Sequence, residues 1–397
     1  MAAPVINTDI AIIGGGIAGL WTLNQLRNSG YSAVLFEQEA LGGYQTVGSQ
    51  GMIHGGIKYA LSGALSGSSE AISDMPAIWR ECLHGRGKVD LGGCKVLSED
   101  FFLWSSDTLQ SRVSSFFASK LLRGRVNKLS PADYPTPLQY PQFKGQVYRL
   151  VDLVLDVPSL VATLAKNYRE AIFGIDWNTS RLVNEAGVAV LHTPAGEVRA
   201  RRVVLTAGTG NESLVQALGG NTPAMQRRPL QQVLMKHQYP EPFFAHCTGG
   251  GANPRLTISS HHTLQGDPVW YLGGDLATDG ADDDPEILIA KAKAEVAELL
   301  PWIDFGQTSW ATIRLDRAEP KQSALLRPDT AFVGAVDSVS NTLTAWPTKL
   351  TLSPNLANEI EALLQQQDIT PTHQPDYSLL SSLGQPPVAA TFWDTLL

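Results

Sequence analysis

The chain has 397 residues, more than a single simple core usually holds, so two domains are expected. Hydrophobic residues make up 43% of the sequence and charged residues 17%, which are the proportions of an ordinary globular protein. The net charge of −8 argues against nucleic acid as the main partner, because no basic excess is available to displace counterions from a phosphate backbone.

Cysteine spacing and the N-terminal residues indicate a cytoplasmic protein. Cys82, Cys94 and Cys247 are far apart and form no C-x-x-C pair, so neither a zinc site nor a redox disulfide is expected. No basic segment precedes the first apolar run, so no signal peptide is expected, and no apolar run approaches the ~18 residues of a membrane-spanning helix. We expect a cytoplasmic monomer without a bound metal.

Residues 9–37 hold the most specific motif in the sequence. The apolar, β-branched run at 9–13 predicts a strand that is buried on both faces. Gly14, Gly16 and Gly19 follow it at G-x-G-x-x-G spacing. This spacing allows a tight turn, the close approach of a pyrophosphate and close packing of the next helix, and it predicts a dinucleotide site.

The rest of this strand–helix–strand unit supports the same prediction. The helix that begins near Ile17 would direct unpaired N–H groups and its positive dipole end toward a phosphate. A second strand at 33–36 ends on Glu37, whose carboxylate can accept hydrogen bonds from a ribose diol, and Gln38 lies next to it. These residues suit NAD and FAD equally well. The alternative is tight helix packing in an ordinary α/β domain.

A loop rich in glycine and small polar residues occupies 41–61. Such a loop offers backbone N–H groups and hydroxyls with little side-chain bulk, so we expect it to wrap the rest of the cofactor. A flexible surface loop is the alternative, which the apolar residues within the loop disfavour. The candidate cofactor contacts here are Thr46, Ser49, Gln50, Gly51 and Met52.

Residues 112–128 form a basic, amphipathic segment. Its lysines and arginines can contact an anionic membrane surface while Phe116 and Phe117 enter the interface. The more frequent origin of such a pattern is a solvated face that covers a core, and this alternative stays open.

The remaining patterns predict a discontinuous cofactor-binding domain. Residues 172–206 indicate a small β-meander that runs into Ala207 and Gly208, and 227–278 indicate the antiparallel sheet of a second domain. We assign 1–90, 150–225 and 310–397 to the cofactor-binding domain, and 91–149 and 226–309 to the substrate domain.

Four separated stretches of the chain indicate the same family. The first is the glycine fingerprint with Glu37, and the second is 49–59. The third is 203–208, and the fourth combines 311–314 with 346–354. Together they resemble the D-amino-acid oxidase-like FAD oxidoreductases (glutathione reductase type 2 group), which include glycine oxidase and glycerol-3-phosphate dehydrogenase.

The resemblance implies an α/β protein with a Rossmann-type FAD-binding domain and a second domain with a large mixed β-sheet. It implies FAD in an extended pose, with the flavin ring at the domain interface. By resemblance, the further cofactor contacts are Arg181, Ala207, Gly208, Pro347, Thr348, Lys349, Leu350 and Thr351.

Arginines near 314 are the candidates for anchoring an anionic substrate. Arg314 is the first choice, because a guanidinium binds a carboxylate in bidentate fashion and the position resembles the carboxylate-binding arginine of glycine oxidase. Arg317 is the second choice, and a structural ion pair of Arg314 with Asp316 or Glu319 is the alternative. Lys58 stands where glycerol-phosphate dehydrogenases carry a phosphate-binding arginine, and it joins the substrate-binding candidates.

Lys349 and His54 are the remaining catalytic candidates. Lys349 can place positive potential near the flavin, and the alternative is an exposed loop lysine. His54 can remove the hydroxyl proton of an alcohol substrate, and the alternative is a histidine that only stabilises its loop.

These residues predict an FAD-dependent oxidase or dehydrogenase. It would transfer hydride to flavin N5 from a carbon that bears an amine or hydroxyl in a small anionic substrate, such as an amino acid, a hydroxy acid or a polyol phosphate. A disulfide or pyridine-nucleotide reductase is disfavoured by the missing C-x-x-C and the missing second fingerprint. A catalytically silent flavoprotein that binds a metabolite or a protein partner is the other alternative.

Overall fold

A computed structural model describes residues 4–56, 72–105, 126–249, 253–323, 328, 330–372 and 376–397. Two large β-sheets dominate this part of the chain. The strands are β1 (Val5–Ile13), β2 (Ala33–Glu37), β3 (Met52–Ile53), β4 (Val96–Ser98), β5 (Phe101–Ser105), β6 (Val126–Lys128), β7 (Gln146–Leu150), β8 (Leu153–Leu155), β9 (Ile172–Gly174), β10 (Arg181–Glu185), β11 (Val188–Thr193), β12 (Gly196–Leu205), β13 (Met225–Lys236), β14 (Ala245–Thr248), β15 (Pro254–His262), β16 (Pro268–Gly273), β17 (Ser309–Pro320), β18 (Phe332–Ala335) and β19 (Thr342–Trp346).

The helices cover the faces of these sheets. They are α1 (Ile17–Asn28), α2 (Met75–Leu83), α3 (Val157–Asn167), α4 (Asn211–Ala217), α5 (Asp275–Asp279), α6 (Pro285–Leu299), α7 (Ser353–Gln366) and α8 (Phe392–Leu396). None of the described helices is long and apolar enough to cross a membrane.

The first sheet is the Rossmann-type sheet that the sequence predicts. Strand β1 lies between β2 and β12 with parallel pairing, and β9 extends the sheet beyond β2. The long strand β12 pairs with β11 through its first residues and with β19 through its last ones. Apolar residues of β1 and β2 are buried on both faces, because α1, α3 and α7 cover the sheet.

The second sheet is large and mixed, as the resemblance implies. Its strand order is β17-β13-β16-β15-β14-β5-β7-β6, and the β14–β5 pair is parallel while its neighbours are antiparallel. Helix α6 packs on one face with an apolar stripe of Leu288, Ala292 and Val296. On the other face, Trp393 of α8 packs with Tyr271 and Leu315.

Strand β17 lies in the second sheet, although its residues are expected in the cofactor-binding domain. Residues 310–320 were assigned to the cofactor-binding domain, but β17 belongs to the second sheet and pairs with β13 from Met225 to Lys236. The physical reason is non-local: strand pairing between segments about 80 residues apart leaves no signal in local periodicity. The segment 112–128 was the candidate for membrane contact. Its residues 112–125 lie outside the described part of the chain, and 126–128 form β6.

Candidate active site

The glycine turn after β1 is shaped for close backbone approach. Gly14 has a φ of +112°, and a Cβ there would lie 2.7 Å from the backbone of Ala207, at the end of β12. Gly16 precedes α1, and the backbone N–H of Ile17 donates to Oγ1 of Thr46 at 3.1 Å. This hydrogen bond ties the 41–49 loop to the start of the helix. Residues of both segments line a cleft.

Glu37 holds this turn in place. Its carboxylate accepts hydrogen bonds from the backbone N–H groups of Gly15 at 2.6 Å and Glu39 at 2.9 Å. The side chain also lines the cleft, and its contact with a ribose stays a prediction.

The cleft widens into a cavity of about 1210 Å³ that is lined by both sheets. Most of the residues selected from the sequence lie in its wall, although they come from six separate stretches. They are Gly14, Gly16, Ile17, Glu37, Gln38, Thr46, Ser49, Gln50, Met52, His54, Ala207, Gly208, Arg317, Pro347, Thr348, Lys349, Leu350 and Thr351.

Four other candidates do not line this cavity. Gly19 and Gly51 face neighbouring backbone instead, since a Cβ would lie 2.0 Å from the carbonyl oxygen of Gly14 or 2.1 Å from that of Leu155 respectively. Arg181 is exposed at the start of β10, and the nearby cavity-lining residues are Ile175 and Trp177. Arg314 is the fourth candidate that does not line the cavity. Lys58 lies outside the residues that the structure describes.

Arg314 is on the wrong side of its strand for binding a ligand in the cavity. Its side chain is 51% exposed, and its guanidinium donates to Asp282 at 3.0 Å and to the carbonyl of Ala281. The ion-pair alternative therefore applies, with a partner other than the two that the sequence suggested. Neighbouring side chains of a strand point to opposite faces, so Leu315 and Arg317 face the cavity instead.

Arg317 and Lys349 are cationic residues in the wall of the cavity. The guanidinium of Arg317 donates to the backbone carbonyls of Arg228 at 3.3 Å and Pro229 at 3.4 Å. Arg228 also lines the cavity, but it pairs with Glu319 at 2.6 Å. Among the described lining residues the acidic ones are Glu37 and Glu39, which lie at the end of the cavity nearest β2.

A strained turn positions Lys349. The backbone N–H of Lys349 donates to the carbonyl of Pro347 at 2.7 Å, and Thr348 between them has a φ of +61°, which is uncommon for a β-branched residue. Lys349 is 7% exposed, so it is not the solvent-exposed lysine of the alternative reading. A short helical turn and then α7 follow it, with their N-terminal ends directed toward this loop.

His54 is held against the same loop. Its backbone N–H donates to Oγ1 of Thr351 at 3.2 Å, and that hydroxyl donates to the carbonyl of Met52 at 3.3 Å. The indole N–H of Trp79 donates to the carbonyl of Thr351 at 2.9 Å. The His54 ring is 5% exposed and lines the cavity, so both a stabilising and a chemical role are compatible with its position.

The second sheet supplies lining residues that sequence reasoning missed. Leu230, Gln232 and Gly273 line the cavity, and Tyr271 lies directly behind them. Alternating patterns in 227–236 and 268–273 mark these segments as strands, but alternation does not show which face meets the cofactor-binding domain.

A layer of buried polar side chains lies behind this wall. Nε2 of Gln50 donates to Oγ of Ser259 at 3.3 Å, and that hydroxyl lies 2.9 Å from Nε2 of His261. The His261 ring stacks on Trp393 with 4.4 Å between ring centroids. Burial lowers the pKa of His261 to about 3, so the ring is neutral.

A Rossmann-type sheet, a glycine turn and an extended cavity that ends against a second mixed sheet define a flavin-binding oxidoreductase. Comparison with known proteins gives the particular family. Residues 9–336 match the model of the FAD dependent oxidoreductase family, abbreviated DAO, and the chain belongs to this family. It is an enzyme, and its cofactor is FAD.

Individual relatives support this assignment. The chain is 48% identical over 390 residues to a probable FAD-dependent oxidoreductase of Pseudomonas aeruginosa, with 98% of each chain covered. A crystal structure of that protein superposes with a TM-score of 0.85 and 43% identity, covering 99% of each chain.

More distant structures share the fold. Glycine oxidase from Geobacillus kaustophilus has a TM-score of 0.64 at 16% identity, covering 94% of this chain and 98% of its own. L-alpha-glycerophosphate oxidase from Mycoplasma pneumoniae, with FAD bound, has a TM-score of 0.64 at 15% identity, covering 97% and 99%.

The residues present fit FAD. At Gly16 an added Cβ would come within 3.3 Å of Oγ1 of Thr46, so glycine keeps this side of the cleft free of side-chain atoms, and the first turn of α1 can meet a pyrophosphate. Glu37 can accept from a ribose, and the loop at 347–351 with the N-terminus of α7 can face the electron-rich end of a flavin.

Proposed function

We propose that this enzyme oxidises a C–N or C–OH bond in a small anionic substrate, such as an amino acid, a hydroxy acid or a polyol phosphate. The observation that carries this proposal is Arg317, a cavity-lining guanidinium on the second sheet that donates to backbone carbonyls at 3.3–3.4 Å. A guanidinium at this place in the cavity wall can bind a carboxylate or phosphate in bidentate fashion.

Three residues of the cavity wall would have separate roles in this reaction. When bound, FAD supplies a ring that accepts a hydride at N5. Arg317 would orient the anionic group of the substrate, and Lys349 with the start of α7 would add positive potential at the 347–351 loop. For a hydroxyl substrate, His54 would take the hydroxyl proton. An amine substrate needs no such base in its neutral form.

Anaerobic bleaching of the bound flavin by a panel of amino acids, hydroxy acids and polyol phosphates tests the proposal. Arg317→Met should lower kcat/KM for the best substrate roughly 10- to 200-fold, because a charged hydrogen bond is worth about 1.5–3 kcal/mol. FAD content should stay unchanged. Arg314→Met is the matched control and should behave as the parent enzyme, since Arg314 contacts Asp282 on the opposite face.

The outcomes separate the parts of the proposal. If no member of the panel bleaches the flavin, the substrate class is wrong. If Arg314→Met is the damaging substitution, the anchor is wrong while the class stands. Reoxidation of the bleached enzyme by air then distinguishes an oxidase from a dehydrogenase.

A further inference from the structure

Two glutamines flank a glycine in the cavity wall at the second sheet. Gln50 precedes β3 and is 8% exposed, and Gln232 belongs to β13 and is 6% exposed. Between them lies Gly273, where a Cβ would be 2.8 Å from Oε1 of Gln50 and 3.5 Å from the terminal amide of Gln232. The missing side chain of Gly273 therefore leaves space beside both amides.

The orientation of Gln50 follows from its partners. Its Nε2 donates to the backbone carbonyl of Tyr271 at 2.7 Å and to Oγ of Ser259 at 3.3 Å. A carbonyl only accepts, so the amide nitrogen must be on this side, and both of its N–H groups are used. In the described part of the chain no donor reaches Oε1 of Gln50, which makes this oxygen an acceptor for a ligand in the cavity.

The orientation of Gln232 follows from Tyr271. The phenol oxygen lies 2.8 Å from the carbonyl oxygen of Gly48 and 2.9 Å from Oε1 of Gln232. Burial raises the pKa of Tyr271, so the phenol keeps its one proton. One proton cannot serve both acceptors, and the carbonyl of Gly48 can only accept, so we rotate the amide of Gln232 by 180° and let its N–H donate to the phenol oxygen. This assignment turns the amide oxygen of Gln232 toward the cavity, in place of its nitrogen.

Two fixed, neutral acceptors side by side suit a group with at least two protons to donate. An amine offers two N–H groups and an ammonium offers three, whereas a hydroxyl offers one and would leave one buried amide oxygen without a donor. We propose that Gln50 and Gln232, oriented by Tyr271, are specificity-determining residues that select an amine-bearing substrate over its hydroxyl analogue. This inference rests on the proposed function, because it names the substrate class of the same site.

The first test uses unreactive ligands on the FAD-loaded enzyme. Neither 2-aminoisobutyrate nor 2-hydroxyisobutyrate has an α-hydrogen, so neither can be oxidised, and both carry the same carboxylate. Each ligand is titrated into the enzyme while the flavin absorption spectrum is recorded. We expect the Kd of 2-aminoisobutyrate to be at least tenfold lower than that of 2-hydroxyisobutyrate, with isobutyrate as the reference anion. Equal affinities, or tighter binding of the hydroxy acid, would overturn the inference alone. If none of the three ligands perturbs the spectrum, the inference fails, and the bleaching panel decides the proposed function separately.

Substitutions then assign the selectivity to the pair. Gln232→Met removes one acceptor, and Tyr271→Phe keeps both glutamines but releases the orientation of Gln232. Each should raise the ratio of the Kd of the amine to the Kd of the hydroxy acid toward one. Gln231→Met is the control, because Gln231 is next along β13, faces the other side and is not among the cavity-lining residues of the described chain.

A different result would assign the pair to the flavin ring instead. In that case Gln232→Met would shift the absorption spectrum of the ligand-free holoenzyme and leave the ratio of Kd values unchanged. That outcome would overturn the inference.

Discussion

At the scale of single residues, contact distances decide which glycines are indispensable. A Cβ on Gly19 would lie 2.0 Å from the carbonyl oxygen of Gly14 and 2.8 Å from Oγ1 of Thr206. Real Cβ atoms do not approach backbone oxygens so closely, so helix α1 can pack against β1 and β12 only with glycine at this position.

Gly19→Ala should therefore lower the free energy of unfolding by about 1–3 kcal/mol, the usual range for overpacking a tight site. The affinity for FAD should fall too, because the glycine turn must shift. Urea denaturation of the apoprotein and FAD titration would measure the two effects. Gly92→Ala is the control, since a Cβ there would lie 3.2 Å from a flexible carboxylate of Asp90. Parent-like stability of Gly19→Ala would show that the turn adapts.

Residue-scale geometry also separates Arg314 from Arg317. Both lie on β17 three positions apart, and a one-dimensional motif treats them as near equivalents. Odd spacing on a strand places their side chains on opposite faces, so one meets Asp282 and the other meets the cavity.

At the scale of secondary-structure elements, two helices begin with the same residue type in different roles. Asp156 precedes α3 and its Oδ2 accepts from the backbone N–H of Ser159 at 3.0 Å. Asp284 precedes α6, and its side chain makes no capping hydrogen bond. The same residue type therefore caps one helix with a hydrogen bond and not the other.

Asp156→Ala should destabilise the protein by about 0.5–2 kcal/mol, because one N-terminal N–H of α3 loses its acceptor. Asp284→Ala should cost clearly less, since only its interaction with the helix dipole is lost. Chemical denaturation of both variants at the same pH measures the difference. Equal losses for the two substitutions would contradict the assignment of the cap.

At the scale of the whole molecule, buried histidines link folding to pH. Burial lowers the pKa of His237 to about 4, from an ordinary value of 6.5, and that of His261 to about 3. An unfolded histidine binds a proton below pH 6.5 whereas the folded one does not, so acid favours the unfolded chain. Their stabilising contribution is complete above this pH and declines as the pH falls toward 4.

Stability should therefore fall between pH 6.5 and 4, with each of these histidines contributing at most about 1.4 kcal/mol per pH unit. His237→Phe should flatten this dependence, because Phe fits among Trp270 and Phe305 and cannot be protonated. Unfolding midpoints across the pH range provide the measurement. The exposed His84→Phe is the control, and a slope unchanged by His237→Phe would exclude this origin.

The sequence by itself determined the features that depend on local pattern. Strand β1, the glycine turn, helix α1 and Glu37 follow from spacing and hydrophobic periodicity, and they lead to the dinucleotide cleft. The DAO family and FAD follow from the order of four such stretches. Each signal is carried by residues that are close together in the chain.

Only the tertiary structure decided which side chains share the cavity. The second sheet brings β13, β16 and β17 together from distant segments, and that pairing selects Arg317 over Arg314. It also places Gln232 and Tyr271 beside Gln50, although no local pattern connects them. The reason is that the face of a strand is chosen by what packs against it, and that choice depends on contacts between residues far apart in sequence.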